Sequence, residues 1–392
     1  MLALLFALPV ALSQEYIVSA GEPVELRVAG TWTRVIHTGD QWKVAFATNG
    51  SFWLQDLTQQ TEGDPTSWAL TGDRLDLQDR KDTKDHAILR CPDGTYLHIA
   101  SANVIEQNDS AYAWRYDENF SIIASTTLAE GDTTRNHNDM VMVCSRLGTG
   151  VAFPTREART NTFFPLDDAL NIGDTFPLED APLAEGGAML VDRDQDLLYH
   201  TGTDTFQQQL VIRTYDANWQ SVNYQTLDVI DAPMRPFWPQ RLLQVGDKFL
   251  LAFVARNDEG GTGDGGEGNI YVAVLDVDFQ LLERHQITTY ADNAGKAMRP
   301  WLERYGTQVL VSFDAETEHT VAELTIDAAA FGLDEDNLYA DTAWSGSDTA
   351  SEDDTPSPTA QGCGRRPTRS AMGLMGIGLA LLTLRRKPTH TA

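Results

Sequence analysis

The residues best suited to chemistry are gathered in four short segments, DRKDTKDH (79–86), EGDTTRNHND (130–139), DAPMRP (231–236) and NAGKAMRP (293–300). Arg80, Lys81, Lys84, Arg135, Arg235, Lys296 and Arg299 fall within them, seven of the 29 basic residues in a chain whose formal charge is −28. His86 and His137 stand beside them. Cations kept together against so acidic a background suit an anionic ligand, because a guanidinium meets carboxylate or sulfate in bidentate fashion. Met-Arg-Pro occurs twice, at 234–236 and 298–300, and Trp238 or Trp301 follows, offering flat apolar faces that stack on sugar rings. The candidate ligand-binding set is therefore Lys84, His86, Arg135, His137, Asp139, Arg235, Trp238, Arg299 and Trp301. The plainer alternative is that Pro and Trp cap strands while each Arg pairs with an acidic neighbour.

Asp85-His86 and His137-Asn138-Asp139 add imidazoles next to carboxylates, the donor types that hold a divalent metal or move protons. No cofactor motif is evident, and a divalent cation is the only such partner these residues suggest. Asp192, Asp194 and Asp196 spell the start of a calcium loop but lack its following Gly and distal Glu, and Asp is favoured in a turn anyway. No nucleophile elbow, phosphate loop, sialidase-type Asp box or distinctive glycosidase carboxylate pair occurs. Three functions stay open: a binding propeller for an anionic glycan or protein, an exported polysaccharide hydrolase or lyase using His86, His137 and Asp139, and a structural envelope protein.

The elements that must position these residues form a repeat. WRYDENFSII, IRTYDANWQSV and AVLDVDFQLL are copies of a hairpin with Asp at its bend, namely Asp117, Asp216 and Asp276. Weaker copies place Asp56, Asp167 and Asp327, and the six are spaced by 61, 50, 49, 60 and 51 residues. A second hairpin recurs in each unit, as in FWPQRLLQV-GD-KFLLAFVA, where Gly246-Asp247 permits a turn with φ > 0. Little 3.6-residue periodicity occurs over 16–327, so the body is read as all-β. Four strands per unit and near-constant spacing predict a β-propeller of six blades, with a pair of sandwiches as the fallback. The last unit is one strand short, and YIVSAGEPVELRV is expected to close it. In such a ring the segments leading into each innermost strand converge on one face, where ligands collect.

The ends carry the address. MLALLFALPVALS (1–13) has the apolar run and small residues of a signal peptide, although no basic residue precedes the run. The propeller is expected over 14–333. Residues 334–362, rich in Ser, Thr, Asp and Pro, are expected to be a disordered acidic stalk. An exported body permits a disulfide between Cys91 and Cys144, although two buried thiols fit the spacing equally well. The acidic balance makes nucleic acid a poor partner. In residues 363–392, Cys363-Gly364 precedes an apolar run at 371–384 and the cluster Arg385-Arg386. As a helix that run spans about 21 Å, short of a hydrocarbon core of about 30 Å. These roughly thirty residues resemble the C-terminal sorting tails of myxobacteria, and the resemblance implies display at the cell surface with Cys363 as the processing or anchor site. A plain tail anchor to the envelope is the simpler reading, and both put the propeller outside the cytoplasm.

Overall fold

The computed structural model describes residues 14–29, 31–48, 51–77, 83–102, 110–130, 140–154, 161–178, 187–192, 195–204, 209–257, 268–290, 297–315, 318–335 and 337–339. The chain divides into two units, 1–347 and 348–392, and all described residues belong to the first. The signal-peptide segment, Cys363 with the rest of the sorting tail, and nearly all of the expected stalk lie outside them.

The body is all-β. After β1 (Ile17–Ala20) and β2 (Val24–Ala29), the chain makes blade 1, an antiparallel sheet in chain order of β3 (Thr31–His37), β4 (Trp42–Thr48), β5 (Ser51–Gln59) and β6 (Trp68–Asp76). Blade 2 comprises β7 (Thr83–Arg90), β8 (Tyr96–Ala102), β9 (Ser110–Tyr116) and β10 (Ile122–Ala129). Blade 3 holds β11 (Val141–Ser145), β12 (Gly148–Pro154), β13 (Asn161–Leu166) and β14 (Phe176–Leu178), and blade 4 holds β15 (Gly187–Val191), β16 (Leu197–Asp204), β17 (Gln209–Asp216) and β18 (Ser221–Leu227). Blade 5 is β19 (Met234–Val245), β20 (Lys248–Asn257), β21 (Asn269–Leu275) and β22 (Leu281–Gln286). Blade 6 has β23 (Ala297–Tyr305), β24 (Gln308–Ala315) and β25 (Glu318–Ile326), and its outer strand is β1, with β2 also paired to β25. The first strands β3, β7, β11, β15, β19 and β23 touch one another in sequence, and β23 meets β3. That closed circuit defines a six-bladed propeller, sealed by the N-terminal strand as its missing outer strand required.

Burial follows position in the blade. β9, packed by neighbouring blades on both faces, is buried along its whole length, whereas the outermost β10, β18 and β22 each expose at least half of their residues. The apolar clusters lie between blades, one joining blades 1 and 2 and another blades 4 and 5. A disulfide joins Cys91, just after β7, to Cys144 in β11, with Cα atoms 5.2 Å apart, and so staples two inner strands. At the tight turn between β19 and β20, Gly246 has φ +56°, and a Cβ there would lie 1.7 Å from the Phe331 carbonyl oxygen.

Four of the expected bends share one construction. Asp117, Asp167, Asp216 and Asp276 each accept the backbone N–H groups two and four residues on. The residue at the third place takes a left-handed φ: Phe120, Leu170, Trp219 and Phe279. That conformation costs a side-chain-bearing residue about 1–2 kcal/mol, and burial against the preceding blade offsets it. Phe279 lies 4.9 Å from Tyr199 of blade 4, and Trp219 lies 4.0 Å from Phe163 of blade 3. Asp56 departs from the expectation. It sits inside β5 opposite Thr71 and pairs with Lys43, while the corresponding bend of blade 1 comes later, where Asp64 accepts from Thr66. At Asp327 the acceptors serve Ala329 and Ala330 instead, within a longer turn. Phe279→Ala is expected to cost about 3 kcal/mol in chemical denaturation. Phe279→Gly should recover about 1 kcal/mol of that loss, because glycine adopts the conformation freely; equal costs would discount the strain.

Candidate functional site

Four inner strands slip register near their starts. The ladder breaks between Thr31 and Arg34 in β3, Thr83 and His86 in β7, Phe237 and Arg241 in β19, and Met298 and Trp301 in β23. Such bulges re-aim the residues around them, and Trp32 and Arg299 adopt left-handed φ values of 62° and 56° within two of them. The residues that resume the ladder, Arg34, His86, Arg241 and Trp301, are all buried. β23 contacts β19 and β3, and each of those sends a guanidinium to Trp301. The Arg34 Cζ lies 4.8 Å and the Arg241 Cζ 5.0 Å from its ring centroid.

Around this tier runs a polar network that fastens blade 6 to blade 1. Asp314 of β24 is fully buried and accepts from Trp32 N at 2.7 Å, Thr33 N at 3.1 Å, Thr33 Oγ1 at 2.8 Å and Arg299 Nη1 at 3.1 Å. Burial alone would raise its pKa; the contact with His319, the Arg299 charge and the Trp32 N–H outweigh that and hold the carboxyl below the usual range. Arg299 also lies 4.7 Å over the Trp32 ring. The same Trp32 offers its carbonyl to His86 Nε2 at 2.7 Å. Burial, then the nearby His98 and Arg34 charges, keep the His86 imidazole neutral far below its ordinary pKa. Arg241 approaches Glu303 at 3.7 Å, again across two blades.

His86, Arg299 and Trp301 are therefore brought into one neighbourhood. It is buried rather than an open mouth, and its partners Trp32, Arg34, Arg241, Asp314 and His319 were not among the sequence candidates. A signal for two of them existed: Arg34, Arg241 and Trp301 each stand five residues before a hairpin glycine, Gly39, Gly246 or Gly306. Arg235 lies elsewhere. It is exposed at the rim of an open pocket of about 530 Å³ lined by Gln209, Thr226, Asp228, Ile230, Met234 and Pro236 among others, at the junction of blades 4 and 5. Lys84 and Trp238 have backbone places in the slips of β7 and β19, but their side chains lie outside the described residues, as do Arg135, His137 and Asp139 altogether. Among the described residues no group of three or more His, Cys, Asp or Glu is placed to hold a metal, and no helix is long and apolar enough to cross a membrane.

The fold and the bulged inner tier define a six-bladed β-propeller. No family model matches the chain, and no curated protein matches it. Among solved structures it is similar to a protein of unknown function from Dyadobacter fermentans, at 14% identity and TM-score 0.56, over 79% of this chain and 99% of that one. Lower similarity links it to hydrazine synthase of Kuenenia stuttgartiensis (11% identity, TM-score 0.43, 74% of this chain and 78% of that one). The AfRom2 CNH domain is comparable, at 12% identity and TM-score 0.39, over 77% of this chain and 99% of that one. The first of these likenesses supports the fold alone.

Proposed function

We propose that this chain is an exported propeller, displayed at the cell envelope by its C-terminal tail, that binds an anionic glycan in the pocket at the junction of blades 4 and 5. The observation that carries this reading is Arg235, exposed beside a pocket of about 530 Å³. Gln209, Thr226 and Asp228 supply hydrogen-bonding groups for sugar hydroxyls, and Ile230, Met234 and Pro236 add apolar surface. Polar groups beside a smaller apolar surface suit a sugar's hydroxyls and ring carbons, and the guanidinium adds a partner for a uronate or sulfate. The Cys91–Cys144 disulfide supports export, since such bonds persist in oxidising compartments. A carbohydrate fits this concavity better than a flat protein surface does, and the chain's charge argues against nucleic acid. The hydrolase reading loses one of its acid–base groups, because His86 is buried with Nε2 bonded to the Trp32 carbonyl.

The test is a glycan array with the purified protein, followed by titration of the best acidic hit. Arg235→Ala is expected to weaken binding about tenfold or more, the loss typical of a charge-assisted hydrogen bond. Unchanged affinity, or binding only to neutral glycans, would sink the assignment.

A further inference from the structure

The buried tier holds a donor with nothing to donate to. Trp301 Nε1 is inaccessible to solvent and has no hydrogen-bond partner among the described residues. An indole N–H has only one way to be satisfied, which is to meet an acceptor, and its burial without one is costly. Its surroundings specify what kind. Guanidinium groups arrive from β3 and β19, with Cζ atoms 4.8 Å and 5.0 Å from the Trp301 ring centroid, so a cation is repelled and a negative acceptor is favoured. Arg34 Nη1 is engaged with the carbonyls of Thr33 and Arg299, and Arg241 approaches Glu303 at 3.7 Å. Asp314, the other buried carboxylate here, is already committed to four donors on the closing seam.

We infer that this tier is a binding site for a small anion, a carboxylate or sulfate-sized oxyanion or a halide, held by the Trp301 indole N–H between the guanidiniums of Arg34 and Arg241. The anion links blades 5, 6 and 1 at their inner strands, because each of the three groups comes from a different blade. This inference rests on the buried tier alone and stands or falls independently of the Arg235 pocket.

Thermal melting of the full protein in titrations of sodium sulfate, sodium acetate and sodium chloride tests it, with Trp301→Phe as the partner experiment. Phenylalanine keeps most of the ring under the guanidiniums and removes only the N–H. Sulfate stabilises most proteins by exclusion from their surfaces, so the readout is the difference between the two proteins. Wild type should show a saturable rise in melting temperature with at least one anion, and Trp301→Phe should require about tenfold more of it. Identical, non-saturating responses would overturn the site and leave a buried water as the occupant. Should Trp301→Phe not fold, the indole ¹⁵N–¹H spectrum of the wild type decides in its place. One of the nine indole signals should then shift saturably with the anion, and no shift with any of the three would overturn the inference.

Discussion

Removal of residues 14–29 is expected to leave no folded propeller. β1 pairs with β25 through Ile17 opposite Ile326 and Ala20 opposite Leu324, and β2 adds Val24 opposite Val321. Tyr16 N and Ile17 N donate to Glu283 of blade 5, and Tyr16 O accepts from Asp327 N, so the strand holds two blades. Tyr16, Ile17, Leu26 and Val28 are buried. At about 1.5–3 kcal/mol each, their burial is of the same size as the whole net stability of a typical domain, about 5–15 kcal/mol. The ladder groups of β25 would also face water unpaired. Circular dichroism and gel filtration of the truncated protein should report an unfolded or aggregated chain, and a synthetic peptide of residues 14–29 should restore the native spectrum by supplying the strand in trans. A truncated protein that melts cooperatively at the wild-type temperature would refute the closing role.

That closure was legible because a strand count is local: three strands after residue 297 leave an open edge, and only the N-terminal run was unassigned. The bends were legible for the same reason, since Asp and the residue three places on act within five residues. Asp56 shows the limit. FWLQDL spells the motif, yet nothing nearby turns the chain, and β5 simply continues to Gln59.

The site was less legible because bulges are not written in the residues that form them. The two Met-Arg-Pro copies look equivalent, but they sit at different distances from the slip. Arg299 lies inside the slip of β23, between Met298 and Trp301, and turns onto Asp314. Arg235 pairs in register opposite Arg256 before the slip of β19 begins at Phe237, and is exposed. One tripeptide thus yields a buried clamp and a surface cation, and only the register separates them. Arg34 and Asp314 were not legible because the contacts that tie them across the closing seam, Arg34 to the Arg299 carbonyl and Thr33 to Asp314, span more than 250 residues.

Stability is expected to fall steeply as pH drops below about 6.5, well before the carboxylates of the surface titrate. His98 and His200 are fully buried, and burial pushes each pKa down to about 3. His37 is lowered to about 4 by burial and by Arg90, against a smaller opposing effect of Asp40. Burial, with the nearby His98 and Arg34 charges, lowers His86 as well. In the unfolded chain each regains a pKa near 6.5. Between that value and the native one, unfolding takes up protons that folding must exclude, so stability rises with pH across the window and is lost as pH falls through it. Asp314 acts in the same direction lower down. Its native pKa is depressed, so its contribution is complete above about pH 4 and disappears below it. Each pKa unit is worth about 1.4 kcal/mol, and His98 and His200 together are expected to remove several kcal/mol between about pH 6.5 and pH 4. Calorimetric melting temperatures taken from about pH 7.5 down to pH 4.5 check this. His200→Leu should flatten the slope whatever it does to the melting temperature at neutral pH, since the variant no longer has a proton to bind on unfolding. A melting temperature that holds level from about pH 7 to pH 5 would mean these imidazoles are not kept neutral by burial.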